Sequence, residues 1–147
     1  MFQIVRKQEM ARGTIIRFDI SAPKIAKKVK AGQFIILRVN ETGERIPLTV
    51  ADKDEFAGII TLIFQVVGKS TRDLAALEVG DDVLDLVGPL GRPTHIERFG
   101  RVVCIGGGVG IAPVYPIACA MKGAGNEVAS IISARSAELL ILEDEMA

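Results

Sequence analysis

The run VVCIGGGVGIAPVYPIACA, residues 102–120, decides how this chain reads. A short apolar strand, RVVCI, ends at Ile105, and four of the five residues from Gly106 to Gly110 are glycine. The apolar run PVYPIACAMKGAG then begins with a proline. The common dinucleotide turn G-x-G-x-x-G is not met. Counted from Gly106 its sixth place holds Ile111, and counted from Gly108 it holds Pro113. A strand ending at Ile105 and a helix beginning near Pro113 still set Gly106–Gly110 at a helix N-terminus. There the free N–H groups and the helix dipole favour a phosphate, and missing Cβ atoms let it come close. Pro113 and Pro116 both suit a first helical turn, where N–H groups have no intrahelical partner. A merely flexible connection is the plainer reading, and it needs fewer glycines than stand here.

Downstream, EVASIIS (127–133) is a second strand and SAELLILEDEMA (136–147) has the pattern of a second helix. RVVCI shows no polar alternation, as in a strand buried on both faces. Strand, helix, strand, helix is the βαβ order of a parallel sheet. Two strands are few for such a sheet, because its edges and faces need cover. The expectation is therefore a fragment, completed by more chain, by a partner or as a homo-oligomer, with Leu139, Leu140 and Leu142 lacking neighbours. Upstream the pattern differs. TIIRFDI (14–20), QFIILRV (33–39), RIPLTVA (45–51), GIITLIFQVV (58–67) and DDVLDLV (81–87) are short, β-branched and separated by turn residues. That spacing predicts an antiparallel barrel or sandwich, interrupted by one helix, TRDLAALEVG, capped by Ser70 or Thr71 and ended by Gly80. The boundary falls in the polar segment near 96–100, giving a barrel over 1–98 and an α/β unit over 99–147.

The chain has 147 residues, 18 basic and 18 acidic. Balanced charge argues against a nucleic-acid reader. No apolar run reaches membrane-span length, and the N-terminus lacks a signal-peptide core. Cys104 and Cys119 sit in apolar runs and form no C-x-x-C pair, so two buried thiols in a reducing, cytoplasmic setting are expected. His95 is the only histidine and has no ligand-type residues at metal spacing, which makes it a surface-loop side chain. Tyr115 and Met121 read as core.

Three shorter motifs remain. GKST (68–71) is not a P-loop, since Ile63 stands where the first glycine is required. It is either an anion cradle at a helix start or an ordinary N-cap. RIPLT (45–49) reads by itself as an edge strand, where proline is tolerated. GPLGRP (88–93) is a double turn leaving the barrel.

Taken in order, the barrel, RIPLT, GKST, GPLG and GGGVGIAP resemble the ferredoxin–NADP reductase superfamily over essentially the whole chain. Within it the chain is similar to electron-transfer subunits of the dihydroorotate dehydrogenase type and to small subunits of NADH-dependent ferredoxin:NADP oxidoreductases. The resemblance implies an antiparallel Greek-key FAD-binding barrel followed by the first half of a parallel-sheet NAD(P)-binding domain. It explains the glycine spacing, because the superfamily uses G-G-G-x-G-x-A-P, matched by Gly106–Pro113. It implies FAD contacts from Arg45, Ile46, Pro47, Leu48 and Thr49, with the motif arginine displaced to Arg45. Ile63, Phe64 and Gln65 would line the flavin, while Gly68, Ser70 and Thr71 would hold its pyrophosphate. Gly107, Gly108, Val109 and Gly110 would take the NAD(P)H pyrophosphate, and Arg135 a ribose or 2′-phosphate or only solvent. No cysteine set for a [2Fe–2S] cluster is present, so such a cluster is expected only in a further C-terminal part. The function implied is an FAD-dependent NAD(P)H oxidoreductase subunit passing electrons to an iron–sulfur centre or a larger partner subunit. Two alternatives stay open: a flavin-binding module without a competent nicotinamide site, and a diaphorase subunit of a soluble hydrogenase.

Overall fold

The computed structural model describes residues 2–147. Its first part is a seven-stranded antiparallel barrel: β1 (Phe2–Met10), β2 (Ile15–Ser21), β3 (Phe34–Arg38), β4 (Arg45–Asp54), β5 (Ile59–Gln65), β6 (Asp82–Val83) and β7 (Asp85–Leu90). Strand order around the sheet is β6-β1-β2-β5-β4-β3-β7. Only Leu84 separates β6 from β7, yet they stand at opposite ends of that order. One stretch of chain therefore pairs first with β1 and then with β3, and Leu84 N donates to Arg38 O at 3.0 Å. This curls the sheet nearly shut and removes its long edges.

Alternation fills the interior. Ile16, Phe18 and Ile20 of β2 meet Ile60, Leu62 and Phe64 of β5, with Ile35 and Leu37 of β3. The Phe18 and Phe64 rings lie 5.5 Å apart in a tilted contact. On the opposite face of β2, the buried Asp19 carboxylate accepts from Thr61 Oγ1 at 2.8 Å and Arg17 Nε at 3.0 Å. β1 was not foreseen. FQIVRKQEM buries only Ile4 fully, and pairing with β2 and β6, not its own hydrophobicity, makes it a strand. The short helix α1 (Pro23–Ala26) was also unread, since four residues carry too little periodicity; Pro23 starts it, and Ile25 and Ala26 bury.

Helix α2 (Lys69–Ala75) begins one residue before the expected caps. Gly68 is the N-cap, and Thr71 Oγ1 accepts from the N–H groups of Val67 (2.9 Å) and Gly68 (3.0 Å). The helix ends at Ala75, well short of Gly80. Gly80 instead turns the chain at φ +98° so that its N–H reaches Ile4 O at 2.9 Å.

The second part comprises β8 (Arg101–Gly107), α3 (Ile111–Gly123) and β9 (Glu127–Ser133), with β8 and β9 parallel from Arg101↔Glu127 to Gly107↔Ser133. Helix α3 starts two residues ahead of Pro113, so Pro116 lies inside the helix and not in its first turn. Burial along β8 alternates, contrary to expectation: Cys104 and Gly106 are covered, while Val103 (56%) and Ile105 (68%) are exposed. One helix covers one face only. Cys119 is exposed as well, so only Cys104 of the two thiols is buried.

SAELLILEDEMA is not a continuous helix. A 3₁₀ turn (Ala137–Leu139) and a short α4 (Glu143–Met146) flank an extended step, with Leu142 left-handed at φ +56°. The break drops Ile141 and Leu142 into a cluster with Ala11, Ile15, Ile63, Ile111 and Ala112, between barrel and α3. Leu139 and Leu140 pack at its rim, so these leucines do find neighbours. An ion pair between Arg12 and Glu138 closes the same junction. The connecting segment is held by Asn126, which is buried. Its amide donates to Glu97 O and Met121 O, both at 2.9 Å, and its Oδ1 accepts from the N–H groups of Phe99 and Gly100.

Candidate functional site

Strands β4 and β5 pair only from Val50↔Leu62 to Asp54↔Ile59. Beyond Val50 they part. Residues 45–49 of β4 keep their partners in β3, from Arg38↔Arg45 to Phe34↔Thr49, but have none on the β5 side. Residues 63–65 of β5 keep β2 partners, from Arg17↔Ile63 to Ile15↔Gln65, and have none on the β4 side. Two backbone edges are thus free at the same end of the barrel. Pro47 fits there because it has no N–H to lose.

Side chains along RIPLT alternate. Ile46 and Leu48 pack against the barrel core, while Arg45 and Pro47 are exposed and Thr49 is half-buried on the same outward face. The Arg45 guanidinium lies 3.9 Å from Asp85, a carboxylate that Arg38 also holds at 2.9 Å. On β5, Phe64 points into the barrel, Ile63 into the junction cluster and Gln65 outward. Phe64 therefore offers backbone and not its ring to anything at this edge.

GKST closes the gap from one side. Ser70 Oγ donates to Glu44 Oε2 at 2.7 Å, tying the start of α2 to the start of β4. That glutamate was not singled out from sequence, since nothing local links it to a residue 26 positions away. Thr71's hydroxyl is committed to the loop itself. Gly68 is different: its backbone is extended at φ −152°, and a Cβ built there meets nothing within 4 Å.

From the other side comes the glycine turn, whose residues do separate jobs. Gly106 is needed for packing, because a Cβ there would stand 3.0 Å from Ile111 Cα. At Gly107 the near neighbour is Ser133 Oγ, also at 3.0 Å. Gly108 takes φ +56° and Gly110 an ordinary helical backbone at φ −63°, and a Cβ on either would point into open space. Val109 packs against the cluster holding Ile63, which brings the turn to the β5 edge. Arg135 is exposed two residues beyond the end of β9 and makes no ion pair among the described residues. It stands at the strand end that carries Gly107 on the neighbouring strand. His95, as expected, is an exposed loop side chain, 3.0 Å from Glu97.

Open space over Gly68, Gly108 and Gly110 is a cradle that side chains would fill. The Ile111 N–H donates to Gly108 O, so the Gly108–Gly110 turn continues α3 backwards and stands at its N-terminal, dipole-positive end. The residues suit two phosphate-bearing groups flanking a strand edge.

Comparison with known proteins gives the class. No family model matches the chain. It is 46% identical over 143 residues to the dihydroorotate dehydrogenase B (NAD(+)) electron transfer subunit homolog of Thermotoga maritima, across 97% of this chain and 50% of that protein. A solved structure on flavin-based electron bifurcation by the NADH-dependent reduced ferredoxin-NADP oxidoreductase superposes with TM-score 0.95 at 45% identity, over 100% of this chain and 53% of that one. Amycolatopsis cytochrome P450 reductase GcoB superposes with TM-score 0.83 at 26% identity, over 97% and 45%. The chain belongs to the ferredoxin–NADP reductase superfamily. It spans about half the length of these relatives.

Proposed function

We propose that this chain is the FAD-holding, NAD(P)H-facing part of an oxidoreductase electron-transfer subunit that serves a larger partner subunit. The observation that carries it is the parting of β4 and β5 between two open glycine positions, Gly68 and Gly108–Gly110. Bound FAD supplies hydride acceptance and one-electron release, which no side chain here can provide. The chain's own work is positional. Thr49, on the outward face of β4, offers a hydroxyl beside the free edge, and Gln65 an amide across the gap. Gly68 and the start of α2 receive one pyrophosphate, and the α3 N-terminus with Gly107–Gly110 receives the other. Arg45, half-neutralised by Asp85, lends a cation at the mouth. No general acid or base is required for that transfer.

The names of the similar proteins support this reading, and the alternatives follow from the same geometry. A flavin-holding module without a competent nicotinamide site is favoured by the exposed face of β8 and β9, where Val103, Ile105 and Ile131 lie open. A diaphorase-type subunit would share every feature and differ in its partner. The test uses two substitutions that the backbone tolerates. Gly68→Val fits its extended φ and fills the open cradle; it should abolish the visible flavin spectrum of the purified protein. Gly110→Ala keeps its helical φ and should leave that spectrum intact while weakening flavin reduction by NADH or NADPH, with dithionite reduction unchanged. Retention of flavin by Gly68→Val would refute the pyrophosphate assignment.

A further inference from the structure

A second cavity, of about 680 Å³, lies between the barrel and α3 beneath the connecting segment. None of the residues assigned above to FAD or NAD(P)H lines it. Its walls are apolar: Val29 and Val50 on the barrel side, Pro116 and Ala120 on α3, and Ile96 over the top. Its polar groups are Lys30, Asp52, Lys53, Thr94, His95, Tyr115 and Cys119. A ligand-sized cavity with apolar walls and a few convergent polar groups is the usual form of a small-molecule site.

The charges say which ligand. Lys53 lies 3.7 Å from Glu55, His95 Nε2 lies 3.0 Å from Glu97, and the Asp52 carboxylate already accepts from the Lys53 N–H at 2.8 Å, so these three are partly answered. Among the described residues Lys30 has no ion pair, and neither have Lys24, Lys27 and Lys28 in the same run. The Lys30 backbone is pinned, its N–H donating to Gln33 Oε1 at 2.9 Å. A fixed anchor with an unanswered cation at an apolar mouth suits an anion with a flat apolar body. Tyr115 stays a hydrogen-bond donor throughout the ordinary pH range, because burial first, then Cys119 and the charges of Asp52 and Glu145, push its hydroxyl up to about 12.

We propose that this cleft binds a small planar molecule carrying one phosphate or carboxylate, held by Lys30 at the mouth with its ring between Val50 and Pro116. The site is independent of the cofactor assignment, and its occupant would bridge barrel and α3. Cys119, exposed in the cleft wall, is a built-in reporter, and buried Cys104 is its internal reference. The experiment measures iodoacetamide alkylation of Cys119 by mass spectrometry on the full chain, with AMP, benzoate, adenosine or inorganic phosphate at millimolar concentration. AMP or benzoate should slow alkylation of Cys119, the first naming a phosphate and the second a carboxylate as the anion. Adenosine should not. Lys30→Ala, at an exposed position that leaves the fold intact, should weaken the protection about tenfold, as loss of one charge-assisted hydrogen bond does. Gly110→Ala should leave it unchanged, which separates this site from the glycine turn. No protection by either anion, protection by adenosine or phosphate alone, or full protection in Lys30→Ala would each overturn the proposal.

Discussion

Gly106, Gly108 and Gly110 are one letter in the sequence and three different constraints in space. Gly106→Ala presses a methyl against Ile111 Cα at 3.0 Å and should destabilise the fold by roughly 1–3 kcal/mol, as overpacking does, read from a denaturant midpoint. Gly110→Ala should cost the fold almost nothing, so any effect it has belongs to the ligand. Asn126 is the residue whose importance sequence could not announce. Four hydrogen bonds tie it to two segments far apart in the chain, and Asn126→Ala should cost roughly 3 kcal/mol through unsatisfied backbone groups, seen as a lower midpoint. Tyr115 predicts a pH effect. Its folded pKa is raised above the unfolded value of 10, so the stability it contributes is full below pH 10 and is lost as pH rises towards 12. Tyr115→Phe should flatten that part of a stability–pH curve, and an unaltered curve would show the hydroxyl to be freely solvated.

Elements were legible where their own residues carried the signal. Four of the five strands expected in the barrel are present as single strands, while DDVLDLV divides at Leu84 into β6 and β7, with β7 running on through residues 88–90 where a turn was expected. β9 matches EVASIIS residue for residue. β1 escaped because a mostly polar strand is made by its neighbours, and the final helix failed because its apolar residues serve a junction and not a helix face. Helix α3 keeps an interior proline at Pro116. Proline there removes a hydrogen bond and crowds the preceding turn, so Pro116→Ala should stabilise the protein by about 1–3 kcal/mol in thermal unfolding. The same proline walls the second cleft, which gives a reason for a helix to keep it.

At the scale of the molecule, barrel and α/β unit share a buried cluster, and among the described residues the non-glycine ones with left-handed backbone, Ala11, Arg12 and Leu142, all gather at that junction. Left-handed conformation costs an ordinary residue roughly 1–2 kcal/mol, so packing there must outweigh it. Leu142→Ala removes much of that packing. Amide exchange should then quicken across residues 136–146 and at the start of α3 while the barrel strands stay protected; uniform acceleration would mean that the two units unfold as one.

What the sequence determined by itself was local. The strand pattern, the glycine-rich strand-to-helix turn and the motif order that resembles one superfamily were all readable, because each depends on neighbours within a few residues. Tertiary structure decided what depends on distant partners. It set which of the glycines lie open, placed Leu48 and Phe64 on the core face of their strands, and parted β4 from β5 to free two edges. It also folded Ile141 and Leu142 back onto Ile15 and exposed Cys119 in a cleft no motif marks. Side-chain direction in a strand follows from its register against other strands, and register is a property of the closed barrel and not of any one segment.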